Sequence, residues 1–128
     1  MVEYLGVVTD DELSKLRKEA TLCIVPNIYL KNDDDFEAFC FVTIESVSGG
    51  SLVVASNYQG IPEALLDGDL GYLAEPSDKE SWIENITLAL DLTSKERKDL
   101  IKKRSEILKN ELSWEKLFNE TYKLYSEV

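Results

Sequence analysis

The chain has 128 residues and a net charge of −11, with 44% apolar and 30% charged residues. This size and balance are typical of one soluble globular domain with a hydrophobic core. The strong negative charge argues against nucleic acid and against an anionic membrane surface as partners. It still allows a small anionic ligand in a local pocket.

The chain contains no histidine, so Ser-His-Asp catalysis, Cys-His catalysis and histidine metal sites are excluded within it. Its two cysteines, Cys23 and Cys40, lie in apolar runs without the spacing of a disulfide or zinc framework. We therefore expect buried, reduced thiols and a cytoplasmic location. No signal peptide opens the sequence and no apolar run approaches membrane-spanning length, so direct membrane contact is not expected.

The first elements in chain order form a strand–helix–strand unit. Val2–Leu5 is predicted to be a short strand. Thr9-Asp-Asp-Glu12 is a capping box, which predicts a helix over 10–20. The apolar run Thr21–Val25 is stopped by a proline and is typical of a buried parallel strand.

Two further strands and helices follow. After a polar loop over 27–36, a helix is predicted over 38–48 because two glycines end the run. Leu52–Ala55 is predicted to be a third buried strand, and a short helix is predicted over 61–66. Gly71–Ala74 is the fourth predicted strand.

The chain beyond Pro76 is predicted to be helical. Capping boxes at Ser77–Glu80 and Thr93–Glu96 open two helices, and Ser113 caps the last one. We expect Trp82 and the aromatic residues of the last helix to be core, since they follow helical spacing. The last helix carries an apolar stripe at Trp114, Leu117, Phe118, Thr121 and Tyr125. The predicted fold class is α/β, with a Rossmann-like parallel sheet of about four strands, flanking helices and a C-terminal helical region in one domain over 1–128.

Ligands of open parallel sheets bind at the carboxyl ends of the strands. The loops at that edge bring Glu37, Glu45 and Gly60 together with the start of helix 38–48, and a helix over this stretch would place the two glutamates near one line. A helix N-terminus presents free N–H groups that suit a phosphate, and carboxylates accept hydrogen bonds from hydroxyl groups. The residues alone therefore predict a site for an anion and hydroxyl groups. The loops concerned are 6–9, 27–37 and 56–63.

Glu37-x7-Glu45, the following Gly49–Ser56 segment and Gly60-Ile-Pro-Glu63 resemble retaining GT-B glycosyltransferases of the large family-4 type. The donor-binding domain of that family carries two such glutamates with a Gly-Phe-Gly-like turn, then a Gly-Pro-Val-Val-like strand and a Gly-Gly-Ile-Pro-Glu turn. The order and spacing of these pieces carry the resemblance, which covers essentially the whole chain. Further matching pieces are Tyr4-Leu-Gly6, Ile24-Val-Pro26, Gly71-Tyr-Leu73 and Ser113-Trp114.

The resemblance implies roles for residues around the turn. Glu37 would be the catalytic-site glutamate, in contact with the donor sugar or its phosphate, and Glu45 would accept the ribose hydroxyls. Backbone N–H groups of Phe39 to Phe41 would hold the pyrophosphate, and Gly60 would keep the neighbouring loop close to the ligand. The implied donor-binding set is Glu37, Ala38, Phe39, Cys40, Phe41, Glu45 and Gly60, with the base near Gly6, Val7 and Val8.

The implied donor is a UDP-, GDP- or ADP-sugar, and the resemblance implies no metal and no cofactor, because the helix dipole and basic residues offset the diphosphate charge. The implied function is the donor-binding portion of a retaining glycosyltransferase of the hexosyltransferase type. Its acceptor would be a glycan or a lipid-linked molecule held by another domain, and the full-length enzyme would be cytoplasmic or peripheral to the membrane.

Several features depart from the family pattern. Ala38 and Cys40 stand where the family has glycine, which narrows the approach of backbone to phosphate. The basic pair that grips the pyrophosphate and the acceptor-binding N-terminal domain have no counterpart in this sequence. The chain therefore looks like the distal part of a GT-B C-terminal domain, a partial donor domain, and it is expected to be inactive by itself.

The family's strand order, 3-2-1-4-5-6, places two strands between Val2–Leu5 and Leu22–Val25 that this sequence lacks. We expect these two segments to pair directly. The alternative is an exposed sheet edge, open to self-association or to cover by another chain.

Other interpretations remain beside the leading one. A catalytically silent sugar-nucleotide-binding or interaction module would also explain the departures at Ala38 and Cys40. A GT-B-like sugar-nucleotide epimerase is a weaker third interpretation, since those enzymes lack the Glu-x7-Glu context. Asp33–Asp35 could indicate a D-x-D metal site, but we favour a solvated acidic loop. Cys40 could be a reactive thiol at a helix N-terminus, but we favour simple gap-filling.

Overall fold

A parallel sheet of three strands lies at the centre of the structure, a computed structural model that describes residues 1–28 and 36–127. The strands are β1 (Leu22–Val25), β2 (Leu52–Ser56) and β3 (Tyr72–Ala74), in the spatial order β1-β2-β3. Both pairings are parallel. The predicted α/β class is therefore confirmed, with three strands in the described part of the chain.

Helices connect and flank these strands. Each parallel pair requires a crossover, which α2 supplies between β1 and β2, and α3 between β2 and β3. The helices are α1 (Asp10–Glu19), α2 (Phe41–Ser48), α3 (Ile61–Ala64), α4 (Lys79–Leu90), α5 (Ser94–Glu111) and α6 (Trp114–Ser126), with one 3₁₀ turn at Leu66–Gly68.

The central strand β2 divides the core into two clusters. All five of its residues are buried, and successive side chains point to opposite faces of the sheet. Val53 and Ala55 belong to one cluster, together with Val47 of α2. Leu52 and Val54 belong to the other, together with Ala89 of α4. The continuous apolar sequence of this strand is thus explained by burial on both faces.

The prediction of a strand at Val2–Leu5 is wrong. This segment forms no strand, and Val2 and Tyr4 are almost fully exposed. The expected pairing with β1 is therefore also wrong, and Ile24 of β1 is exposed. A short run of β-favouring residues becomes a strand only where it can bury one face against neighbours. Gly6, with φ +64°, turns the chain away before α1 begins.

Two of the three predicted capping boxes are confirmed. Thr9 and Thr93 each accept a hydrogen bond from the third residue of their helix, and the glutamate there accepts one from the backbone N–H of the threonine. The prediction of a box at Ser77–Glu80 is wrong, because the helix begins one residue later and has a simple side-chain cap. Asp78 is the N-cap of α4 and accepts from Ser81 N–H at 3.2 Å, while Ser77 has φ +63°.

Helix α6 begins at the predicted cap, since Ser113 accepts a hydrogen bond from Lys116 N–H at 3.1 Å. Its apolar stripe is not core, however. Trp114 is 82% exposed, Phe118 and Tyr125 are exposed as well, and α6 has no buried residue. Trp82 of α4 does pack partly against the second cluster. Helical spacing shows which face is apolar, but it does not show what covers that face.

The described part of the chain contains no helix that is long and apolar enough to cross a bilayer.

Substituting Thr93 by Ala tests the capping box of α5. The side-chain and backbone hydrogen bonds from Thr93 lower the pKa of Glu96. Loss of an N-cap hydroxyl costs about 1 kcal/mol of unfolding free energy. A lowered carboxyl pKa contributes stability that is present above the ordinary pKa and is lost as the pH falls through the lowered value.

We therefore expect Thr93→Ala to be less stable in urea at neutral pH, and the difference from the parent chain to narrow in acid. Carbon-detected NMR titration should show the pKa of Glu96 returning towards its ordinary value. An unchanged pKa of Glu96 in the variant would contradict the hydrogen bonds between Thr93 and Glu96 in the capping box.

Candidate functional site

Glu37 is held at three points between the ends of β1 and β2. Its backbone N–H donates to Gln59 Oε1 at 2.7 Å, and its carbonyl accepts from Gly60 N–H at 3.0 Å. Its side-chain Oε1 accepts from Cys40 N–H at 2.9 Å. The loop that follows β2 therefore fixes the backbone of Glu37, and Glu37 in turn fixes the start of α2.

Gly60 makes this contact possible. A Cβ atom at position 60 would lie 1.9 Å from the carbonyl oxygen of Ala38 and 2.9 Å from that of Glu37. The backbone of Gly60 has an ordinary φ of −81°, so the demand for glycine comes from close packing and not from backbone strain. The structure thus places the predicted site residues Glu37, Ala38 and Gly60 together.

Cys40 adopts the left-handed conformation, with φ 46° and ψ 66°, and is only 5% exposed. The Cys40 carbonyl accepts two hydrogen bonds from Thr43, one from the backbone N–H at 3.0 Å and one from the side-chain hydroxyl at 2.8 Å. Burial, and next the negative charge of Glu37, raise the pKa of the Cys40 thiol. This supports a space-filling residue and opposes a reactive thiolate.

Because Cys40 is the N-cap, α2 begins at Phe41 and not at 38 as predicted. The alignment of Glu37 and Glu45 along one helix is therefore wrong, because Glu37 lies in the preceding turn. A residue with positive φ interrupts a helix that the apolar run alone would extend. Of the N–H groups predicted to hold a phosphate, that of Cys40 is already bonded to Glu37. The rings of Phe39 and Phe41 pack edge to face, with their centroids 5.4 Å apart.

Glu45 lies in the second turn of α2 and pairs with Arg17 of α1. Arg17 Nη2 is 2.6 Å from Glu45 Oε2, and the two side chains are 19% and 50% exposed. The Glu45 side chain is therefore paired with a cation and is still half exposed. Arg17 lies one turn after the half-buried Leu13, and this spacing could have indicated that it belongs to the half-buried face of α1.

Two clefts border α2. The larger, of about 710 Å³, separates α1 and α2 from the junction of α5 and α6, and Arg17, Glu45 and Trp114 lie on its walls. The second, of about 520 Å³, is mainly apolar and is lined by Phe39, Phe41 and again Trp114. The residues predicted to hold a base, Gly6, Val7 and Val8, line neither cleft, and Val7 is fully exposed.

Sequence reasoning missed Gln59 and Arg17. Gln59 has φ +50° and precedes Gly60. The only signal in the sequence is a glutamine at a turn position where the family has glycine. The acidic run Asp33–Asp35 lies outside the described residues. Among residues 1–28 and 36–127, no group of three or more metal-ligating side chains could hold an ion.

The family described as glycosyl transferases group 1 matches residues 1–106. The lipopolysaccharide 1,2-N-acetylglucosaminetransferase of Salmonella typhimurium is 37% identical over 111 residues, 86% of this chain and 27% of its own length. The O-antigen chain mannosyltransferase B of Escherichia coli is 29% identical over 124 residues, 97% of this chain and 30% of its own length. The chain thus spans less than a third of either relative.

A third relative comes from a plant. A phosphatidylinositol N-acetylglucosaminyltransferase subunit of Arabidopsis thaliana is 35% identical over 91 residues, which are 71% of this chain and 18% of that protein.

Substituting Gly60 by Ala tests the close approach of the two loops. The added methyl group has no room beside the Ala38 carbonyl, so the loops must separate at a cost of about 1–3 kcal/mol in unfolding free energy. We expect a lower midpoint in urea and faster amide exchange at Glu37, measured by NMR. Ala89→Gly in α4 is the control, because it lowers stability in the other core cluster. Parent-like exchange at Glu37 in Gly60→Ala would contradict the contact.

Proposed function

The chain belongs to the glycosyl transferases group 1 family, and from this premise we propose that it forms the nucleotide-diphosphate-sugar-binding part of a retaining glycosyltransferase. The single observation that supports this most is the rigid turn at the start of α2. There Glu37, the glutamate implied to contact the sugar, is held by the loop that carries Gly60.

The diphosphate would bind at the start of α2, where the helix dipole favours an anion. In the structure, the Glu37 carboxylate accepts the hydrogen bond from Cys40 N–H. A phosphate oxygen arriving there would compete for this N–H group. Once displaced from Cys40 N–H, the Glu37 carboxylate would be free to turn towards the donor sugar. Binding of the diphosphate would thus position both the phosphate and the Glu37 carboxylate.

The ribose would lie beside Glu45. A carboxylate can accept hydrogen bonds at both oxygens, and Arg17 contacts Glu45 through Oε2. Since the Glu45 side chain is half exposed, the carboxylate also faces solvent on the side of the larger cleft. Arg17 would thus hold the carboxylate in place while the ribose hydroxyls bind to it.

In the whole enzyme, a hexosyl group would pass to a glycan or a lipid-linked acceptor held by another domain, with nucleoside diphosphate as leaving group. The names of the bacterial and plant relatives, which concern lipopolysaccharide, O-antigen and phosphatidylinositol, support acceptors of this kind. The chain alone would bind the donor and would not catalyse. No metal is required in this proposal, and the free thiols Cys23 and Cys40 support a cytoplasmic setting.

A catalytically silent binding or interaction module is the second candidate. It is favoured by the fact that Cys40 N–H and Glu45 both have partners within the chain. It is also favoured by Cys40 itself, which stands where the family has glycine.

Glu45→Gln and Arg17→Met form a matched pair that separates ribose binding from the ion pair. Either change breaks the pair and costs about 0.5–1 kcal/mol of stability. Only Glu45→Gln removes the carboxylate and leaves a neutral amide with a single acceptor oxygen. This weakens the affinity for the best of UDP, GDP and ADP about tenfold. Arg17→Met keeps the carboxylate and removes only the cation that holds it, so the affinity should fall much less, by about two- to threefold. Calorimetric titration measures both.

Analogues without the 2′- or 3′-hydroxyl give the control on the ligand side. They should bind more weakly to the parent chain, whereas Glu45→Gln should lose little further affinity for them. An unchanged affinity in Glu45→Gln would remove the ribose role. If none of the three nucleotides binds the parent chain, the interaction module is the better account.

A further inference from the structure

We propose that Gln59 is a positioning residue for the donor site, because its side-chain amide holds the backbone of Glu37 and thereby sets the Glu37 carboxylate against Cys40 N–H. The proposal rests on the proposed function as far as the donor is concerned. The positioning itself is a property of the unliganded chain and can be tested without any nucleotide.

The backbone of Gln59 lies in the left-handed region, with φ +50°. Glycine adopts this conformation without strain, whereas a residue with a Cβ atom is disfavoured there by about 1 kcal/mol. Position 59 therefore carries a side chain at some cost to the backbone. The neighbouring Gly60 shows that the same turn does contain glycine where packing demands it.

Among the described residues, the side chain of Gln59 makes two hydrogen bonds. Its Oε1 accepts from Glu37 N–H at 2.7 Å, and its Nε2 donates to the hydroxyl of Tyr58 at 3.1 Å. The backbone N–H of Glu37 can only donate, so the amide must turn Oε1 towards Glu37, and Nε2 is left to donate to Tyr58. The side chain thus bridges the loop after β2 and the turn after β1.

The bridge continues through Glu37 into α2. The carbonyl of Glu37 accepts a hydrogen bond from Gly60 N–H, and the carboxylate of Glu37 accepts one from Cys40 N–H. With the N–H group, the carbonyl and the carboxylate all engaged, Glu37 has little freedom to move. Removing the Gln59 side chain releases only the N–H group directly, so any change at Cys40 must pass through Glu37.

Gln59→Gly removes the side chain, and Gln59→Glu keeps an acceptor oxygen at the same reach. Ser77→Gly is the matched backbone control, because Ser77 also has a positive φ, +63°, and lies before α4, outside this turn. Both glycine variants relieve backbone strain and add chain entropy. A difference between them therefore reports the lost Gln59 side chain.

NMR amide exchange on the unliganded 128-residue chain is the first measurement. In Gln59→Gly we expect exchange at Glu37 and at Cys40 to be faster by about fivefold or more. In Gln59→Glu and in Ser77→Gly both amides should exchange as in the parent chain. Parent-like exchange at Cys40 in Gln59→Gly would overturn the positioning role.

Affinity for UDP, GDP and ADP is the second measurement. Gln59→Gly should weaken the best of them about fivefold, because the loosened turn no longer presents the amides at the start of α2 in one arrangement. Gln59→Glu should restore the affinity. Equal affinity of Gln59→Gly and the parent chain would overturn the role in donor binding. If no nucleotide binds the parent chain while exchange at Cys40 still rises in Gln59→Gly, the positioning stands and the proposed function fails.

Discussion

The loops after β1 and β2 touch through their backbones, and the candidate site depends on that contact. Gly60 approaches the Ala38 peptide so closely that even a methyl group would collide with its carbonyl oxygen. Around this contact, hydrogen bonds from Gln59 and Gly60 fix Glu37, and Glu37 fixes Cys40 at the start of α2. A parallel sheet brings the two loops to one edge, and glycine allows them to meet.

The sequence predicted the elements whose signals are local. The capping boxes at Thr9 and Thr93 and the buried run of β2 appear where their patterns place them. The errors arise where a residue's neighbours in space decide. Val2–Leu5 has strand-forming residues but does not pair with the open edge of β1, and the aromatic face of α6 has no covering element among the described residues.

The candidate site was predicted only in part, because its motif is a local signal and its contacts depend on neighbours in space. The motif placed Glu37, Glu45 and Gly60 near the start of α2, and the structure brings Glu37 and Gly60 into contact. It could not show that Cys40 adopts the backbone shape of a glycine, that Arg17 pairs with Glu45, or that Gln59 holds Glu37. The two side-chain contacts join residues that are distant in sequence, and the residue type of Cys40 does not indicate a left-handed backbone.

Amide shift mapping tests the central claim, that a nucleoside diphosphate binds at the start of α2. Nitrogen-15 spectra of the chain would be recorded during titration with UDP, GDP and ADP. Our account predicts saturable shifts for at least one nucleotide, concentrated at the Phe39–Phe41 amides and around Glu45. Saturable shifts confined to α6, or none at the start of α2 with any nucleotide, would contradict it.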